Sequence, residues 1–117
     1  MPARCDVELD VYSGMPNPTW TLSDADADRF MAELGALPRT SERTLSGGLG
    51  YRGLIVRCGH GDEPDVIHLQ AGTVQIASGA TFVFARDPAR DLERRLLDTG
   101  RPYLDEDLLA MIERALG

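Results

Sequence analysis

The stretch Val11-Tyr-Ser-Gly-Met-Pro-Asn-Pro-Thr-Trp20 cannot carry one regular element from end to end. Pro16 and Pro18 fix their own φ and remove two backbone donors, and each pushes the residue before it, Met15 or Asn17, out of the α region. Gly14 admits the positive φ that a sharp change of direction can require. The stretch reads as a stiff bend with Asn17-Pro18 as its turn, so the chain on either side must form separate elements. Trp20, the only tryptophan, closes it. Two roles fit: a strand-to-helix loop whose indole caps the core, or a binding loop that displays the indole at the carboxyl end of a strand.

Before the bend, Arg4 to Tyr12 alternates. Cys5, Val7, Leu9 and Val11 share one face, and Asp6, Glu8 and Asp10 the other, the period-2 pattern of a half-buried strand. After it, Ser23 is a good N-cap for a helix carrying Ala27, Phe30, Met31, Leu34 and Leu37 as its apolar stripe, and Pro38 ends it. Asp24, Asp26 and Asp28 suggest a calcium loop, but Arg29 stands where the loop needs glycine and Gly35 where it needs a bidentate glutamate. They are read as helix-start charges.

Residues 38–50 show no periodicity and form a long loop. Ser46-Gly-Gly-Leu-Gly50 lacks the Lys-Ser/Thr and the following helix of a phosphate loop. Tyr51 to Cys58 reads as a strand, and Val66–Ala71 with Thr73–Ala77 as a hairpin about Gly72. Thr81–Ala85 is expected as a last strand burying Phe82 and Phe84. Asp87-Pro88 opens a helix on Leu92, Leu96 and Leu97 that ends at Gly100. Leu104 and Leu109 flank Asp105 at the start of a final helix.

The expected fold is α+β: a single domain over residues 1–117, a two-layer sandwich with a mainly antiparallel sheet of four or five strands and three helices on one face. The opposite face would be polar and acid-biased, carrying Asp6, Glu8, Asp10, Tyr12, Arg57, His68, Gln70 and Gln75.

The net charge is −7, and all twelve basic residues are arginine, a bias of high-GC bacterial coding. An acidic chain without a basic patch is a poor nucleic-acid binder. No apolar run suits a signal peptide or a membrane span, so cytoplasmic residence without a membrane partner is expected. In that compartment Cys5 and Cys58 would be buried thiols, although their strands could also be neighbours and bring them together.

Chemistry has few candidates. Cys58, His60 and His68, with Asp62 or Asp65, form a weak alternative metal set, and Cys58 with either histidine an alternative thiolate–imidazole pair. There is no G-x-S-x-G elbow. The expectation is a binding or accessory protein for a larger protein partner, of immunity type in one version, rather than an enzyme, with no cofactor. Its contact residues would be Asp6, Glu8, Asp10, Tyr12, Met15, Asn17 and Trp20, with acidic steering and apolar anchors. Homodimerisation through a strand edge is compatible with it.

Overall fold

The computed structural model describes residues 4–12, 16–41, 51–59 and 64–116. Among the described residues six strands and three helices follow one another as β1 (Arg4–Leu9), β2 (Thr19–Thr21), α1 (Asp24–Ala36), β3 (Leu54–Gly59), β4 (Asp65–Gln70), β5 (Thr73–Ser78), β6 (Thr81–Arg86), α2 (Asp91–Gly100) and α3 (Glu106–Leu116). Short 3-10 turns, Pro88–Arg90 and Arg101–Tyr103, precede α2 and follow it. All strand pairs are antiparallel, in the spatial order β2-β1-β3-β4-β5-β6. The α+β sandwich is thus as expected, with one strand more.

The additional strand comes from the bend. The chain does not cross from strand to helix but folds back, so that Val7 pairs with Trp20 and Glu8 with Thr19. Thr, Trp and Thr suit a pleated surface, and three residues make a short, hence safe, sheet edge. At the other edge, the segment after α1 runs along β6. Arg39 bridges to Ala85, Thr40 donates its N–H to the Phe84 carbonyl at 3.0 Å, and Arg86 donates to Pro38 at 2.9 Å.

The core lies between the sheet and the helices. Cys5, Val7, Leu9, Leu54, Val56, Ile67, Leu69 and Val74 face it from the strands; Phe30 and Leu34 of α1, Leu96 and Leu97 of α2, and Ile112 of α3 close it. Met31, expected in the α1 stripe, is not part of the core and is 36% exposed. The β4–β5 connection is a two-residue turn, Ala71-Gly72, with φ of 51° and 85°. Two successive positive φ values are what a tight hairpin between right-twisted strands requires, and glycine supplies the second at little cost.

Two expectations about the faces are corrected. Phe82 and Phe84 are not core residues: the register sets Ala85 opposite Val74 and Val83 opposite Ile76, which turns both phenylalanines to the outer face. There Phe82 is 54% exposed. Nor is the outer face acid-biased, since Asp6, Glu8 and Asp10 are set against Arg4, Arg52, Arg57 and Arg86 there, and Asp65, opposite Cys58, is turned to the core side. Among the described residues the acidic excess sits on the helical layer, notably Asp24, Asp26 and Asp28 at the start of α1 and Asp105, Glu106 and Asp107 at the start of α3.

The two cysteines are not free thiols. They form a disulfide between β1 and β3, both on the core face and both buried. Cys5 and Cys58 stand directly opposite one another, and the Cys5 carbonyl is spent on Leu22 at the β2 side. They are therefore a pair without hydrogen bonds between them, the narrow kind of antiparallel pair, and their Cα atoms are 4.2 Å apart.

Candidate functional site: the bend at the end of β1

The two described flanks of the bend are joined through the Asn17 side chain. Asn17 Oδ1 accepts from the backbone N–H of Tyr12 at 2.8 Å and of Val11 at 3.2 Å. Its Nδ2 donates to Glu8 Oε2 at 2.8 Å. An asparagine has an acceptor and a donor on one short planar group, and here both ends are used to close the loop onto its own strand. The other Glu8 oxygen accepts from Arg57 at 2.9 Å, so a residue of β3 is tied in as well. The hydrogen bond from Asn17, aided by Arg57, holds the Glu8 carboxyl below the usual glutamate range against the opposing effect of burial.

Two further ties complete the arrangement. Arg52 donates to Asp10 at 2.9 Å and to the Tyr12 carbonyl at 3.0 Å. Asp6 accepts from the Thr21 hydroxyl at 2.6 Å and lies 3.4 Å from Arg4 Nε. All three carboxylates predicted to form an acidic steering surface are thus engaged by neighbouring side chains. What they build is a stiff polar platform at the end of the sheet, with Pro16 and Thr19 exposed beside it.

Trp20 does not belong to that surface. It is 5% exposed and packs inward, with its Nε1 donating to Thr99 Oγ1 of α2 at 2.9 Å. The display reading of the indole is corrected to that of a core anchor, because pairing with Val7 turns Trp20 to the helix side. Met15, the other proposed apolar anchor, lies outside the described residues, as do His60 and Asp62.

The weak metal and nucleophile set is taken apart. Cys58 is bonded to Cys5 and buried on the core face, whereas His68 is on the outer face, opposite Ile55, with its Nε2 3.0 Å from the Arg52 carbonyl oxygen. Among the described residues no three His, Cys, Asp or Glu side chains converge as metal ligands do.

A second cluster escaped the sequence reading. Glu93 of α2 is fully buried, and its carboxylate takes both Arg90 Nε and Nη2, at 3.0 and 2.9 Å, and the Tyr51 hydroxyl at 2.5 Å. Burial, with the Glu93 charge beside it, pushes the Tyr51 hydroxyl far above its ordinary pKa. Buried Asp87 caps α2, accepting from the backbone N–H of Leu92 and Glu93 at 2.9 and 3.0 Å. Burial raises its pKa, against those two bonds. Ala89 and Arg90 both have positive φ, 55° and 57°, an uncommon conformation for residues with a Cβ. Arg90 also donates to the Ala115 carbonyl, and Arg94 to Leu116, at the end of α3. Every partner in this cluster comes from within the chain, so it reads as the fastening of α2, α3 and Tyr51 to one another. The signal was present: Glu93 precedes Leu96 and Leu97 by three and four positions, on the stripe itself.

Between α1 and α2 runs a cleft of about 340 Å³, floored by Leu22, Phe30, Leu92 and Leu96. The ion pair of Glu33 with Arg95 spans it at 2.6 Å. Among the described residues no helix is long and apolar enough to cross a membrane. No protein-family model matches the chain, and no curated protein or solved structure matches it either.

Proposed function

We propose that this is a small acidic binding or accessory protein that contacts a larger protein partner with the bend after β1. The observation that carries the reading is the double engagement of Asn17, which fixes Tyr12 and Val11 on one side and Glu8 on the other. Flanks already held together lose little conformational freedom on binding, so more of their contact energy appears as affinity. Tyr12 and Asn17 remain as contact residues, with the Asp6, Glu8 and Asp10 platform setting orientation. The net charge of −7 favours a basic partner by long-range attraction. An inhibitor of immunity type is one form that such a protein takes.

The buried disulfide weighs against cytoplasmic residence and favours an oxidising compartment as the place of action. The bacterial source suggested by the arginine-only composition is part of the same reading.

The test is affinity capture from the native host with the wild-type chain and with Asn17→Ala as paired baits, after circular dichroism shows both folded. A protein retained by the first and lost by the second supports the reading, and its association should slow as salt is raised. Neutralising Asp6, Glu8 and Asp10 together leaves Arg4 and Arg57 in excess, and should slow association further. Capture that is indifferent to Asn17 removes the bend from consideration.

A further inference from the structure

The outer face of the sheet divides into two parts. Toward β2 it carries the ion pairs of Asp6 and Glu8. Toward β6 it carries an apolar row: Val66, Ala77 and Phe82 stand directly opposite one another on β4, β5 and β6. Phe84 lies in the next row, beyond Gln75, and Ile55 lies in that row on β3. No helix among the described residues covers this face, because all three pack on the other.

We infer that this face, with the apolar row of its β4–β6 half as the anchor, is where two copies of the chain meet, sheet against sheet. Charge selects the occupant. A chain of net charge −7 repels its own copies, and among the described residues the acidic excess lies on the helical layer. Contact through the helices would oppose like charges. Contact through the strands joins surfaces that carry no acidic excess, since Arg4, Arg52, Arg57 and Arg86 offset Asp6, Glu8 and Asp10. The helical layers then point away from each other, separated by two sheets packed about 10 Å apart and beyond a screening length of about 8 Å. A basic partner, in contrast, finds no carboxylate to pair with on this apolar row.

Size and layout agree with this. Six strands spaced by about 4.8 Å, each of six residues or fewer at about 3.4 Å, present a face some 25 Å by 20 Å. That is the scale of one side of a standard interface, about 800 Å² of accessible surface. The apolar row supplies the centre and the Glu8–Arg57 pair a polar rim. The bend lies past the end of β1, outside the contact, so one dimer offers two bends.

Sedimentation equilibrium of the full chain between about 1 and 200 μM, in low and high salt, tests the inference. The expected result is the mass of two chains, with association that strengthens as salt screens the mutual repulsion. Phe82→Asp should weaken it about 30-fold or more, the loss of one central aromatic anchor, and leave the far-UV spectrum unchanged because the ring is exposed. Ala77→Glu in the same row is the independent variant should the first fail to fold. A single-chain mass at the highest concentration overturns the inference. So does a dimer that both folded variants leave intact, or one that salt weakens.

Discussion

Trp20 fills the space that a side chain at position 100 would need. A Cβ on Gly100 would fall 2.4 Å from the indole Cζ2. Gly100 has φ of −96°, so it serves close approach and not an unusual backbone. Through this contact and the Thr99 hydrogen bond, the edge strand β2 is fixed to the end of α2. Gly100→Ala should therefore destabilise the fold by about 1–3 kcal/mol through overpacking. Urea unfolding followed by tryptophan fluorescence measures this, and an unchanged midpoint would show that the contact yields freely.

Asn17 should prove structural as well as functional. Asn17→Ala leaves two backbone N–H groups and one Glu8 oxygen without their partner, at a cost of about 1–3 kcal/mol. Asn17→Asp should be worse than its size suggests, because it sets a second carboxylate against Glu8. Chemical unfolding of the pair ranks them, and equal stability of wild type and Asn17→Ala would contradict the network.

The same network gives a pH dependence. The folded-state pKa of Glu8 lies below its unfolded value. Its stabilising contribution is thus complete above the unfolded value, about 4.3, and is lost as pH falls through the folded one. The stability gap between wild type and Glu8→Gln should be widest near neutrality and close on acidification. A gap that stays constant down to pH 2 would assign the effect to packing.

Glu93 should tolerate loss of its charge better than loss of its partner. Arg90→Ala leaves a carboxylate buried with only a tyrosine hydroxyl for company, and should cost about 3–5 kcal/mol. Glu93→Gln removes the charge and keeps an acceptor for Tyr51, so a smaller loss is expected. Thermal unfolding of the two variants decides the order.

Much of the architecture was legible because local signals agreed with one another. The alternation from Cys5 to Val11, the Ser23 cap and the Gly72 hairpin each mark their element without tertiary help. Thr19–Thr21 was not legible as a strand, since three residues after a proline carry no period and acquire an identity only by pairing with β1. The stretch Thr-Phe-Val-Phe-Ala was apolar on both parities, and size favoured the wrong pair for the core. Pairing put small Ala85 inside, opposite Val74. At the candidate site the bend and its Asn17 could be read directly from the prolines. The inward turn of Trp20 and the pairing of all three carboxylates depend on neighbours distant in sequence, which no local pattern encodes.

The disulfide joins positions separated by 53 residues. Chain-entropy arguments give a closed loop of that length about 4 kcal/mol of stabilisation, so Cys5→Ser should unfold at markedly lower denaturant concentration. With both sulfurs buried, a reductant should act on the native protein only as fast as the sheet opens. Mass-resolved alkylation follows that rate directly.

The bond also gives the polypeptide the topology of a ring with one long tail. Any single backbone cleavage between Cys5 and Cys58, including one anywhere in residues 42–50, leaves both pieces covalently attached. A nicked molecule would migrate as intact on a gel without reductant and separate into two fragments with it. A cut in the segment between α1 and β3 would therefore leave the strand that bears the bend tethered to the sheet it helps to build.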